Sequence, residues 1–287
     1  MQDDMPREDD FLDCYTEEEI RADKDKIREI KRKLGIQDTG EIPDSRVQEY
    51  ATAQDISEMD WFGEEKRNGE LFPEDKGHTV AVLLSSEYDD FINHTDAICM
   101  IDNADTNFLP LTFALDMTYN TDGDSLDKKM SWRHPSKQLG IPGLATVKYF
   151  EDRETFGDKP LIEKGRIEVM PRFVVGFSPE LSTEITELRM TSDGWGTLKR
   201  ESLSAQAKWC VLKELKVQSR QMLEYLEKHK DGSELLGSAY TQVASLDKYF
   251  AGAIKAAREM EKDHPEWERY ANRDSVVNEI LARRIIG

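Results

Sequence analysis

The sequence contains few cysteines, and those few are not arranged for pairing. Three occur among 287 residues, at Cys14, Cys99 and Cys210. They are odd in number and far apart, and no Cys-x-x-Cys pair exists. This usage argues against a disulfide framework or a zinc knuckle and is typical of a reducing compartment, so we expect a cytoplasmic protein.

Long apolar runs are also missing. No stretch approaches the roughly 18 consecutive apolar residues of a membrane-spanning helix. The first ten residues, MQDDMPREDD, are acidic and lack the apolar core of a signal peptide. The sequence therefore predicts no membrane partner.

Positive charge is scarce relative to negative charge. The chain has 39 Lys and Arg residues against 58 Asp and Glu, a formal net charge of −19. Such a surface repels nucleic acid over most of its area, so a nucleic-acid partner requires a local basic groove or bridging metal ions. Alternatively, the acidity itself recruits a basic protein partner.

The two ends of the sequence are helical in pattern. Residues 1–15 are predicted to be a disordered acidic leader. Thr16 and Glu19 form a capping-box pattern before a helix over 16–34, which Gly35 ends. Apolar periodicity predicts further helices over 199–229 and 238–262 and from about residue 273 onwards.

The middle of the sequence contains short apolar runs bounded by turn residues, which favour strands. Pro171 predicts that the last run is an edge strand or two separate pieces, because proline cannot donate to a sheet ladder. Together the patterns predict an α/β fold, with a mixed central sheet flanked by helices and a helical C-terminal lobe. We expect a core domain over 16–195 and a helical region over 196–287. The predicted strands are Thr79–Leu84, Ala97–Ile101, Leu111–Tyr119, Ala145–Phe150 and Ile167–Phe177.

Two aspartates stand out on neighbouring predicted strands. Asp96 opens one strand, and Asp116 follows the apolar run LTFAL in the next. Burying an unpaired carboxylate costs on the order of several kcal/mol, so each aspartate needs a compensating interaction if it is buried. A metal ion, a basic partner or a solvent-exposed strand end would supply it. Asp90 lies just upstream and could join the same end of the sheet.

Asp96, a loop and then Asp116-Met117-Thr118 resemble the core of the PD-(D/E)XK nuclease superfamily over residues 80–150. The resemblance implies Mg²⁺ or Mn²⁺ held by Asp96 and Asp116 with an upstream acid, Glu87 or Asp90. It also implies hydrolysis of nucleic-acid phosphodiester bonds by an activated water.

The family places a lysine two residues after the second acid, where this chain has Thr118. Lys148 or Lys129 would have to replace that lysine in orienting water or stabilising charge. If neither reaches the aspartates, the site is degenerate.

Other interpretations remain open at this stage. Asp96 can cap a turn, and Asp116 can face solvent at a strand end. The basic residues of 199–230 and a patch around Trp132 and His134 are candidate nucleic-acid or partner surfaces. The second function hypothesis is a non-catalytic, acidic interaction protein of phage or mobile-element type that binds a basic partner.

Overall fold

The computed structural model describes residues 5–36, 44–58, 61–62, 79–102, 111–119, 123–131, 143–151, 164–190 and 198–283. The strands are β1 (Thr79–Leu84), β2 (Ala97–Asp102), β3 (Leu111–Thr118), β4 (Leu144–Phe150) and β5 (Gly165–Gly176). The helices are α1 (Glu17–Leu34), α2 (Asp44–Glu58), α3 (Glu87–Asn93), α4 (Gly123–Ser131), α5 (Pro179–Met190), α6 (Leu198–His229), α7 (Glu234–Met260), α8 (Pro265–Ala271) and α9 (Ser275–Ala282).

The five strands form one mixed sheet in the order β1-β2-β3-β5-β4. The first three form an antiparallel meander, β5 runs parallel to β3, and β4 is antiparallel to β5. Helices flank this sheet and make up the C-terminal region. The α/β fold with a mixed central sheet is therefore confirmed.

The strand that contains Pro171 is continuous over Gly165–Gly176 and stands between β3 and β4 in the sheet order, so it is neither the terminal strand of the sheet nor two separate pieces. Each half of it nevertheless has a strand on one side only. Pro171 pairs with Leu144 of β4, and the next residue, Arg172, pairs with Ala114 of β3. The strand thus changes its pairing partner at the proline. The sheet tolerates the missing backbone N–H of Pro171 because this residue lies where the pairing changes from β4 to β3.

Beyond the proline, the outer edge of β5 is closed by side chains of α6. Gln218 accepts from the Val174 N–H at 2.9 Å and donates to the Val174 carbonyl at 2.6 Å. Glu214, one helical turn earlier, accepts from the Gly176 N–H at 2.9 Å. A helix therefore satisfies backbone groups that a further strand would otherwise pair.

The main hydrophobic core lies between one face of the sheet and the C-terminal helices. Phe113 and Phe173 project from the sheet and meet Phe250 of α7 in edge-on ring contacts, with centroids 5.5 and 5.7 Å away. The same buried cluster includes residues of α6 and α9. The helical C-terminal region and the sheet therefore share one core.

The N-terminal segment differs from its prediction over the residues that the structure describes. Residues 5–15 are ordered against the body of the protein rather than forming a disordered leader. Phe11 is fully buried and packs on Tyr149, with ring centroids 5.2 Å apart. The Tyr15 hydroxyl donates to the Lys148 carbonyl at 2.8 Å. Two aromatic anchors hold this segment despite its acidic composition.

The helix that follows begins as predicted. Thr16 and Glu19 form the capping box, and Gly35 ends the helix in a left-handed conformation. Among the described helices, none is long and apolar enough to cross a membrane.

Candidate functional site

Asp96 and Asp116 lie side by side at one end of the sheet. The antiparallel register pairs Ala97 with Leu115, which places the two aspartates opposite each other. The Asp96 N–H donates to the Leu115 carbonyl at 2.8 Å, and its carboxylate Oδ2 accepts from the Met117 N–H at 2.5 Å. Both side chains are buried, so both need internal partners.

Lys129 reaches both aspartates from α4. Leu126 and Met130 anchor this helix in the core. The Lys129 ammonium contacts Asp116 Oδ1, donates to the Met117 carbonyl at 2.6 Å and lies 3.9 Å from Asp96 Oδ2. Three oxygen atoms from two strands therefore converge on one cation. Burial alone would lower the pKa of Lys129, but the two carboxylates outweigh it and raise that pKa.

Arg172 binds the other side of the Asp116 carboxylate. Its Nη2 contacts Asp116 Oδ2, its Nε donates to the His94 carbonyl at 2.8 Å, and its Nη1 donates to the Lys129 carbonyl at 3.1 Å. Burial raises the pKa of Asp116, yet Lys129 and Arg172 together hold it below its usual value. Sequence reasoning missed Arg172. The available signal was a basic residue inside the apolar run MPRFVVGF.

A second group of charges continues from Asp96. Burial raises the pKa of Asp90, and Asp90 lies near enough to Asp96 that the Asp96 carboxylate raises this pKa further. Arg46 of α2 lies 3.0 Å from both Asp90 Oδ2 and Glu49 Oε2. We call Arg46, Glu49, Asp90, Asp96, Asp116, Lys129 and Arg172 the ion cluster.

Burial shifts the pKa of two acids in this cluster. Desolvation raises the pKa of Glu49 to about 9 and that of Asp90 to about 8, and the nearby Asp96 carboxylate adds to both shifts. Arg46 opposes both shifts, because its guanidinium lies 3.0 Å from an oxygen of each acid. Four acids and three basic side chains therefore share this end of the sheet.

Two predicted site residues lie elsewhere. Lys148 is on β4, at the far edge of the sheet from β2, and its ammonium contacts Asp23 of α1. The ring of Tyr15 lies beneath the same ammonium, 4.7 Å from it. Glu87 contacts Lys31 of α1 instead of the aspartates. The structure therefore brings Asp90, Asp96, Asp116 and Lys129 together, without Glu87 or Lys148.

The basic residues of α6 are largely engaged in internal contacts. Lys208 lies 3.6 Å from Glu261, and Lys216 lies 2.7 Å from Asp247. Lys213 contacts the side chain of Asn272. This pairing weakens α6 as an electropositive surface. The patch around Trp132 and His134 lies outside the described residues.

The oxygen atoms that converge on Lys129 are the candidate ligands for a divalent ion. Within the described ranges, no group of three or more His, Cys, Asp or Glu side chains is placed to hold a metal. The set around Lys129 instead consists of two carboxylates and the Met117 carbonyl, which are hard oxygen donors of the kind Mg²⁺ and Mn²⁺ prefer. The Lys129 ammonium already contacts two of these oxygen atoms, Asp116 Oδ1 and the Met117 carbonyl oxygen, and lies 3.9 Å from the third, Asp96 Oδ2. The oxygen donors are of the kind that suits a divalent ion, which would have to take the place of this ammonium.

No family model matches this chain, and neither a curated protein nor a solved structure matches it.

Proposed function

We propose that this chain is a divergent metal-dependent nuclease that hydrolyses phosphodiester bonds of nucleic acid. One observation carries the proposal: Asp96, Asp116 and the ammonium of Lys129 converge at one end of the sheet. These are the two acids and the lysine that the PD-(D/E)XK resemblance requires. Here the lysine comes from α4 and replaces the one missing at Thr118.

Each residue has a role in this proposal. Asp96, Asp116 and the Met117 carbonyl would hold Mg²⁺ or Mn²⁺, which supplies Lewis-acid activation of water and phosphate. Lys129 would donate to the phosphate and stabilise its developing negative charge. Arg172 keeps Asp116 oriented because it also binds two backbone carbonyls. Asp90 lies close to Asp96 and would be the upstream acid of the site.

The exposed members of the cluster indicate where a substrate would approach. The Lys129 side chain is 29% exposed, whereas that of Asp116 is 2% exposed. A phosphate arriving from solvent would therefore meet the ammonium before the carboxylate. The acidic remainder of the surface would repel nucleic acid and favour contact at this one place.

Cleavage of labelled single- and double-stranded DNA and RNA with Mn²⁺ or Mg²⁺ tests the proposal. We expect wild-type activity that chelation removes and Asp116→Asn abolishes. Asp124→Asn is the matched control, because Asp124 is an exposed acid on α4. Absence of cleavage of every substrate by folded wild-type protein would refute the nuclease proposal.

A second candidate is a non-catalytic interaction protein that binds a basic partner through its acidic surface. It is favoured by the contact of both Asp116 carboxylate oxygens with internal cations, Lys129 and Arg172. Under this hypothesis the cluster is purely structural. The protein should then bind polylysine at low salt, lose that binding at molar salt and cleave nothing. Binding that persists unchanged at molar salt would contradict it.

A further inference from the structure

We propose that Lys129 acts as a tethered competitor of the divalent ion, so that metal binding requires its ammonium to leave Asp116. This inference rests on the proposed function, because it assigns the position of the metal to the oxygen set described above. It adds a regulatory property of this chain: an internal cation keeps the site closed to metal until it is displaced.

The contacts of the ammonium support the competition. Lys129 Nζ contacts Asp116 Oδ1 and lies 2.6 Å from the Met117 carbonyl oxygen. A divalent ion bound to these oxygen atoms would occupy the same space. Two cations at one position would also repel each other strongly, because little solvent is present to screen them.

The two cations on Asp116 differ in their freedom to leave. Arg172 is held by the His94 and Lys129 carbonyls, and its side chain is only 2% exposed. The Lys129 side chain is 29% exposed and ends in a compact charge on a flexible stem. Lys129 is therefore the cation that can withdraw, whereas Arg172 stays on the opposite oxygen.

The backbone of α4 need not move for this exchange. Leu126 and Met130 are buried, and Arg172 donates to the backbone carbonyl of Lys129. Only the side chain beyond that backbone has to swing towards solvent. An ammonium displaced in this way would be free to donate to a bound phosphate, as the proposed role of Lys129 requires.

Titration calorimetry with Mn²⁺ tests the competition without relying on activity. We expect Lys129→Met to bind Mn²⁺ at least about tenfold more tightly than wild type, because the competing charge is gone. Adding Asp116→Asn to that variant should remove the binding. Lys128→Met is the matched control, because Lys128 is an exposed neighbour on α4, and its affinity should equal that of wild type.

A measurement on the wild-type protein keeps the test valid if Lys129→Met fails to fold. Acetylation of Lys129 by an amine-reactive ester, read by mass spectrometry, should increase several-fold at saturating Mn²⁺. The inference is overturned if folded Lys129→Met binds Mn²⁺ no more tightly than wild type, or if Mn²⁺ leaves the acetylation unchanged.

The outcomes separate this inference from the nuclease proposal. Tight Mn²⁺ binding by Lys129→Met, with no cleavage by wild type, would support the competition and refute the nuclease. Cleavage by wild type, with no gain in Mn²⁺ affinity for Lys129→Met, would refute the competition alone.

Discussion

Asp116 and Arg172 lie on adjacent parallel strands, and each side chain is only 2% exposed where carboxylate and guanidinium meet. Arg172 is the residue at which β5 stops pairing with β4 and begins to pair with β3. Its contacts with His94 and Lys129 tie the end of α3 and α4 to the same strand. The pair therefore holds the candidate site together.

Replacing this arginine should expose how much of the fold depends on it. Arg172→Met leaves Asp116 with one of its two cations, so we expect the free energy of unfolding to fall by about 3 kcal/mol. Urea denaturation measures the change. Arg166→Met, at an exposed position of the same strand, is the control and should change stability by less than about 0.5 kcal/mol. Equal effects of the two substitutions would contradict a structural role for the pair.

Lys148 should matter for stability and not for catalysis. Burial raises the pKa of Asp23, but hydrogen bonds from Lys148, Lys26 and Tyr149 outweigh it and lower that pKa. Because the pKa of Asp23 is lower in the folded than in the unfolded state, its ionised form stabilises the fold at pH values above the unfolded pKa. This stabilisation is lost as the pH falls through the folded pKa. We expect Lys148→Met to cost about 2 kcal/mol at pH 7 and less near pH 3.

Urea denaturation at both pH values measures that difference. Metal binding by Lys148→Met should equal that of wild type, because Lys148 lies on the terminal strand β4 and its ammonium contacts Asp23 instead of Asp96 or Asp116. A loss of Mn²⁺ binding in a folded Lys148→Met variant would instead place this lysine in the site.

Glu214 should make the protein less stable as pH rises. Burial raises the pKa of this carboxyl well above its usual value, so ionisation costs more in the folded than in the unfolded state. Glu214 therefore does not affect the free energy of unfolding at pH values below its pKa in the unfolded chain. As the pH rises above that pKa, the free energy of unfolding falls. Glu214→Gln keeps an acceptor for the Gly176 N–H and cannot ionise.

Thermal unfolding of Glu214→Gln at two pH values tests this sign. We expect a midpoint about 2–4 °C above that of wild type at pH 8, which corresponds to roughly 1 kcal/mol for a chain of this size. The difference should be smaller at pH 5. A larger gain in the unfolding midpoint at pH 5 than at pH 8 would contradict a raised pKa of Glu214.

Gly176 is required by the close approach of two strands. A Cβ at this position would lie 1.9 Å from the backbone carbonyl oxygen of Thr118, next to the candidate site. Gly176→Ala should therefore force β3 and β5 apart and cost at least about 3 kcal/mol. Gly252→Ala is the matched control on α7, where nothing lies within 4 Å, and it should stabilise the protein by about 0.5–1 kcal/mol. Denaturant unfolding of both variants measures the contrast.

The sequence placed Asp96 and Asp116 on consecutive strands, and the two could meet only if those strands paired as neighbours, which they do. It could not choose between Lys129 and Lys148. That choice depends on where α4 packs and on the place of β4 in the sheet, which local patterns do not encode. Arg46 and Arg172 were missed for the same reason: each comes from a distant segment and gains its role only by burial beside a carboxylate. The ordered N-terminal segment was missed because acidic composition outweighed Phe11 and Tyr15.

The closure of β5 by Gln218 and Glu214 has a consequence for how the molecule opens. The amide protons of Val174 and Gly176 are protected by a helix, not by a neighbouring strand. Their exchange with solvent deuterium therefore reports the opening of these contacts with α6, even if the rest of the sheet stays paired. These two amides act as reporters of the contact between the helical region and the strand that carries Arg172.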